Sequence, residues 1–320
     1  MGKKDNKSHE LQENQKGQKN KDKKFSVYGK LLKLAHTRGI QSNQKEIQEL
    51  ITNHLQELIN SYSGCANYHV IYLCDEKHSI NDSHANKIYQ AISSLNKEKD
   101  IFLIIDSRGG SVEPAYLISK TCKRLAKDKF LVAVPRKAKS AATLICLGAD
   151  EIHMGLMSEL GPIDPQIGGL PVQGLSNALE VIAKLAEKYP NSSDMFAKYL
   201  KEQLILPHLG YFERLCESAQ QYANRLLQGK KLPEQHDPGF LSSHFVYHYK
   251  DHSFVIDSDE TIGLLGPDIV KINSDEYNLS NEIYKFFNFV STLFDLFQNK
   301  EISFVGETKN CFSWSEIEKE

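Results

Sequence analysis

The apolar run Ile101-Phe102-Leu103-Ile104-Ile105 passes directly into Asp106-Ser107-Arg108-Gly109-Gly110, and no other stretch restricts the fold of this chain so strongly. Its length and β-branched content fit a strand buried on both faces, the kind found in parallel sheets. A helical pattern follows from Pro114 to about Ala126. A second apolar strand, Phe130 to Val134, leads through Pro135 and a basic turn to Ser140. From Ser140 the small-residue run through Ala149 reads as a tightly packed helix, and Asp150 to Met154 as a short third strand. Strands and helices alternating at this spacing imply βαβ crossovers and a largely parallel sheet.

Two features of this stretch suit acyl-transfer chemistry. Gly109-Gly110 stands where a strand gives way to a turn, and glycine lets backbone N–H groups face a ligand. Ser140 stands at the start of a helix, where unpaired N–H groups and the positive dipole end favour a developing oxyanion. Ser140 is therefore a candidate nucleophile, with the N–H groups of Gly109, Gly110 and Ala141 as candidate oxyanion donors. A serine before a helix is more often an ordinary N-cap, and Gly-Gly after a strand an ordinary turn. Spacing alone leaves both readings open.

With these residues in view, the chain resembles the Clp-protease/crotonase superfamily, in particular the serine dehydrogenase proteinase family, which is related to signal peptide peptidase A. Asp106 to Gly110 resembles the family's oxyanion turn and Lys139-Ser140-Ala141-Ala142-Thr143 its nucleophile motif. Ala149 to Ile152 and Ser158-Glu159-Leu160-Gly161-Pro162-Ile163-Asp164-Pro165-Gln166 resemble the segment that follows. The likeness is strongest over 101–169 and extends over about 65–275. It implies an α/β fold, a Clp protease/crotonase-like spiral of βαβ units with additional helices at both ends. It also implies a peptide or protein substrate, assembly into a homo-oligomer, and ATP-independent serine peptidase activity. A catalytically silent oligomeric scaffold of the same fold is an alternative, and an acyl-CoA hydratase or thioesterase a more distant one. For the latter Glu159 and Asp164 could be offered as carboxylates, although the loop that carries them reads better as a rigid turn fixed by two prolines.

A serine hydroxyl needs a base to become nucleophilic. In Clp proteases the base is a histidine about 25 residues past the serine, but here no histidine occurs between His153 and His208. In signal peptide peptidases it is a lysine, in several relatives roughly 40–50 residues past the serine, a window that holds Lys184 and Lys188. Lys184, between Ala183 and Leu185 on an apolar helix, is the better candidate for a Ser-Lys dyad, since a lysine base requires burial or a neighbouring cation. Lys188 and His153 are alternatives. The group His244, His248 and His252 is remote in sequence but free to return to the site.

The remaining composition excludes several classes. A formal charge of −2 argues against wholesale nucleic-acid binding. No run of about 18 apolar residues offers a membrane span. Lysines near the start precede no apolar segment, so no secretory signal is expected and a cytoplasmic location follows. The six cysteines form no C-x-x-C pair and no zinc-finger spacing. No metal or cofactor is expected, and the thiols are expected to be reduced.

Four regions follow. Residues 1–24 carry eight lysines against four acidic residues with almost no apolar content, the signature of a disordered polar tail. Residues 25–64 form a helical segment in which Ile47, Leu50, Ile51, Leu55, Leu58 and Ile59 recur at helix spacing. Residues 65–275 form the peptidase-like domain. Residues 276–320 comprise an aromatic helix, Asn281 to Phe297, and a polar tail expected to be loose.

Overall fold

Successive residues of the Ile101–Ile105 run leave for opposite sides of a sheet, because side chains along a strand alternate between its faces. Ile101, Leu103 and Ile105 join one buried cluster, and Phe102 and Ile104 join the other. That is why the run is apolar throughout rather than alternating. The computed structural model describes residues 26–37, 40–95, 98–167, 170–203 and 206–317. The tail expected over residues 1–24 lies outside them.

In chain order the elements are α1 (Val27–Thr37), α2 (Ile40–Ser61), β1 (Tyr68–Asp75), α3 (Asp82–Ser93), β2 (Asp100–Ser107), α4 (Val112–Leu125), β3 (Phe130–Ala133), β4 (Lys137–Ala138), α5 (Ala141–Leu147) and β5 (Glu151–Met154). There follow β6 (Glu159–Leu160), β7 (Gln166–Ile167), β8 (Leu170–Pro171), α6 (Val172–Lys188), α7 (Ser193–Gln203) and α8 (Leu206–Leu227). The chain closes with α9 (Pro238–Ser243), α10 (Ser258–Leu265), β9 (Val270–Ile272), α11 (Asp275–Gln298), β10 (Lys300–Glu307) and β11 (Phe312–Glu316). A π-helical turn, His244–His248, follows α9.

The main sheet has the order β11-β10-β1-β2-β3-β5-β9, with β4 and β6 branching from β2. Pairings from β1 to β9 are parallel, and β10 and β11 add antiparallel at the β1 edge. One face buries side chains of α3, α4, α5 and α8, and the other those of α1, α2 and α11. The architecture is the expected α/β arrangement of successive βαβ units, with helices added at both ends. The helical region around Phe196 and beyond forms two helices, α7 ending at Gln203 and α8 beginning at Leu206, and Pro207 stands in the first turn of α8, where its missing N–H removes no helical bond.

Residues 300–316 depart from the expectation of a loose tail. Ile71 to Cys74 of β1 pair with Phe304 to Glu307, and β11 folds back on β10. The strand signal of β10 is weak locally because its partner is over 200 residues away, and pairing context decides β structure more than propensity does. Phe287 of α11 stacks on Phe304 of β10 with ring centroids 3.7 Å apart. Ser274 starts α11 by accepting the Tyr277 N–H at 3.2 Å, and Asp275 and Glu276 lie in its first turn, where the dipole favours them.

Phe304 is 1% exposed. Phe304→Ala is expected to destabilise the chain by about 3–5 kcal/mol. A urea unfolding curve checks this, and an unchanged midpoint would show that the β10 edge is dispensable to the core.

Candidate active site

The loops that leave the carboxyl ends of β1, β2 and β4 meet at one cavity. The β1–α3 loop supplies Glu76 to Ser79, the β2–α4 loop Arg108 to Ser111, and the β4–α5 junction Ser140. The first two are stitched together by Ile80 N–H to Gly109 O at 2.8 Å and Ser111 N–H to Ile80 O at 2.8 Å. A β-carbon on Gly110 would lie 2.2 Å from the Ile80 nitrogen, so only glycine fits there. The junction joins them through the Lys139 N–H, which donates to Ser107 O at 3.1 Å.

Ser140 has φ 52° and ψ −120°, a backbone conformation rare for a residue with a side chain. Such geometry costs of the order of 1–3 kcal/mol and persists only where the surroundings impose it. Here Ala142 N–H donates to Lys139 O at 2.9 Å and Leu144 N–H to Ser140 O at 3.2 Å, closing the first turn of α5. Gly109 allows the approach from the other side, since a β-carbon on it would meet Lys139 O at 2.6 Å and the Ser140 β-carbon at 2.7 Å. The result is a sharp strand-to-helix elbow that projects the serine from the turn. The fully buried Thr143 locks this elbow, donating to Ala138 O at 2.6 Å and accepting the Gly161 N–H at 3.0 Å.

The three expected oxyanion donors differ. The Gly109 N–H donates to Ser107 Oγ at 3.2 Å. The Gly110 and Ala141 N–H groups have no acceptor among the described residues.

The cavity is about 700 Å³, and its lining includes Ser140, Gly109 and Gly110 together with Ile163, Pro165, Leu215 and His252. His252 is 27% exposed, and its Nδ1 lies 2.5 Å from Oδ1 of Asp164, itself 6% exposed. With Nδ1–H donating to the carboxylate, the free lone pair is on Nε2. These two residues are 88 apart in sequence. Leu160 and Ile256 bring them together by exchanging backbone hydrogen bonds at 2.9 and 3.1 Å, and Ile163 N–H adds one to Phe245 O at 2.8 Å. Lys139 fastens the same strap, its Nζ donating to Leu160 O and Phe254 O at 3.2 and 3.0 Å and pairing with Glu159 at 3.1 Å.

The other proposed bases lie elsewhere. Lys184 is 76% exposed on α6, with its Nζ 3.9 Å from Glu180, and Lys188 rests its ammonium 5.4 Å from the Tyr189 ring. Neither lines the cavity. His153 is buried against Phe102 on the sheet face opposite α5, and its Nδ1 is 2.7 Å from Ser274 Oγ, the cap of α11. From sequence the His244, His248 and His252 group ranks low, because an exposed His-rich loop is commonly just polar. Ser140, Asp164 and His252 occur in a different chain order from a Clp triad, and geometry rather than order defines such a group. A second histidine, His78, also lines the cavity, with Nδ1 3.1 Å from Asp75 and Nε2 3.7 Å from Glu301.

Beside the Gly109-Gly110 turn, burial and the neighbouring Glu76 push the Asp106 carboxyl up to about 7. Glu76 is held in the opposite direction: burial opposes its ionisation, but the hydrogen bond from Lys137 at 2.6 Å prevails. Among the described residues no group of three or more His, Cys, Asp or Glu side chains converges as a metal cage, and no helix is long and apolar enough to cross a membrane.

The family model of ClpP-like SDH-type serine proteinases matches residues 31–199. Two uncharacterized proteins of Methanocaldococcus jannaschii are similar. MJ0137 is 34% identical over 163 residues, 51% of this chain and 52% of its own, and MJ1495 is 31% identical over 156 residues, 47% and 51%. The chain thus spans about half the length of the curated relatives it matches. Among solved structures, the 1510-N membrane-bound stomatin-specific protease is similar at 14% identity and a TM-score of 0.42, over 64% of this chain and 74% of that one, in a mutant complexed with a substrate peptide.

Because Asp106 is protonated more readily when folded than its usual value near 4, it binds a proton in the native state that the unfolded chain has released. Stability should therefore fall as pH rises from about 4 to about 7 and level off above. Asp106→Asn, which keeps an acceptor for the Lys137 N–H, should flatten that slope and gain stability at pH 8 relative to pH 5. Unfolding midpoints at the two pH values test this, and a parallel loss in wild type and variant would remove Asp106 as its source.

Proposed function

The chain belongs to the family of ClpP-like SDH-type serine proteinases, and from that premise we propose that it is a serine peptidase working through Ser140, His252 and Asp164. The observation that carries the reading is the single cavity shared by Ser140, the Gly109-Gly110 turn and a histidine whose Nδ1 is held by a nearly buried carboxylate. Ser140 Oγ attacks the scissile carbonyl while His252 Nε2 takes its proton. Asp164 keeps the imidazole in the tautomer that can accept and stabilises the imidazolium that forms. The tetrahedral oxygen accepts from the Gly110 and Ala141 N–H groups, whose backbone positions are set before the substrate arrives, so little reorganisation is needed as charge develops. His252 then returns the proton to the leaving amine. An acyl-enzyme on Ser140 remains, and water activated by the same imidazole hydrolyses it.

A Ser-Lys dyad through Lys184 has weaker support. Lys184 is 76% exposed beside Glu180 and does not line the cavity that holds Ser140. Peptide substrates, self-assembly into a homo-oligomer, independence of ATP and a cytoplasmic setting complete the proposal and follow from the family likeness.

Labelling by a fluorophosphonate probe tests the assignment. Ser140→Ala should lose labelling entirely, and His252→Gln and Asp164→Asn should each lower peptide hydrolysis by roughly 10⁴-fold. Lys184→Ala and His78→Gln should retain it. An inactive Lys184→Ala beside an active His252→Gln would transfer the base to the lysine, and a folded wild type that neither labels nor hydrolyses peptides would favour a silent scaffold.

A further inference from the structure

A second concavity, about 620 Å³, lies at the opposite edge of the parallel sheet from Ser140. Its lining includes Asp150, which immediately precedes β5, and Asp268 and Ile269, which precede β9. These are the amino ends of strands whose carboxyl edge carries the serine cavity. Between the two sites runs α5, whose seven residues place about 10 Å between its ends. A ligand bound here does not reach Ser140.

Six cationic side chains line this cavity: Lys120, Lys123 and Arg124 of α4, Arg225 of α8, and Lys230 and Lys231 of the turn that follows. Asp150 and Asp268 are the carboxylates that face them. Each is already taken, Asp150 by Lys123 at 2.5 Å and Asp268 by Lys231 at 2.5 Å. Lys120, Arg124, Arg225 and Lys230 are left with no carboxylate partner among the described residues. Lys230 is half-buried, donates to the Ala149 carbonyl, and is pushed down to about 8 by its burial. In a chain with a formal charge of −2, this local excess of positive charge is not a consequence of overall composition. Like charges gathered in a concave, partly desolvated place repel one another unless an anion offsets them.

We propose that this cavity binds a small, multiply charged phosphate compound, its oxygens held by Lys120, Arg124, Arg225 and Lys230. Two guanidinium forks and two ammonium groups arriving from different elements suit a run of tetrahedral phosphates, which offers acceptors in several directions. The carboxylates at the rim stay neutralised by their own lysines and do not oppose it. Gly229, at φ 74°, adopts the left-handed turn that places Lys230 after α8. The Tyr116 ring forms part of the wall, with Lys120 Nζ 5.6 Å from its centroid. The same ring packs against Tyr222, with centroids 4.6 Å apart.

Isothermal titration calorimetry on the full chain tests the proposal, with inorganic tripolyphosphate and ATP as probes and sodium chloride at matched ionic strength as the control. Tripolyphosphate is expected to bind saturably at one site per chain. Arg124→Gln and Arg225→Gln are each expected to weaken it by about tenfold or more, and Lys188→Gln, on α6, to leave it unchanged. Equal affinity for the two probes would assign recognition to the phosphates alone, and ATP binding at least about tenfold tighter would add the Tyr116 wall to the site. Absence of saturable binding by wild type overturns the proposal. So does binding that survives both arginine substitutions in variants whose unfolding midpoints match wild type.

Discussion

The serine cavity depends first on β1 and β2 running parallel in register from Tyr68↔Asp100 to Asp75↔Ser107. Because the two strands end at the same level, the loops beyond them emerge side by side and can share hydrogen bonds between Ile80 and the Gly109–Ser111 segment. A one-residue slip would reverse which side chains meet each core and separate these loops. The apolar alternation of Ile101 to Ile105 between two clusters is what forbids that slip. Packing on both faces of the sheet thus sets the geometry of a polar turn that itself buries little.

On that platform the elbow at Ser140 is held by contacts rather than by preference. Its positive φ is unfavourable alone, and it is maintained by the Lys139 and Ser140 carbonyls closing onto α5, by Thr143 bridging Ala138 and Gly161, and by a glycine at 109 that lets two backbones nearly touch. Lys139 belongs to the same structure. Its stem passes Gly161, where a β-carbon would lie 2.5 Å from the lysine δ-carbon, and its ammonium fastens the strap that carries His252. The residue beside the serine therefore positions the far wall of the cavity.

The two edges of the sheet differ in electrostatic character. At the carboxyl edge, histidines are matched with carboxylates, His252 with Asp164 and His78 with Asp75, and the acidic pair Glu76 and Asp106 lies beside the Gly109-Gly110 turn. At the amino edge, cations outnumber carboxylates and half-bury one of their own. Parallel strands make such a division possible, since each edge collects only one kind of loop.

Local patterns were enough to determine the α/β class, the buried strand at Ile101 to Ile105, and the small set Ser140, Gly109, Gly110 and Ala141 that the fold gathers. Those signals are carried by adjacent residues, in periodicity and in glycine, whose backbone freedom is intrinsic. Other features depend on partners far along the chain. Lys184 has apolar neighbours in sequence, yet its own side chain is on the solvent face of α6 beside Glu180. The strand pairing of residues 300–307 comes from β1, and His153 is drawn to the cap of α11. His252 reaches Asp164 only because Leu160 and Ile256 pair across a long loop. That His252 lines the serine cavity was decided by tertiary structure, because a hydrogen bond between residues 88 apart leaves no periodic trace in the chain between them.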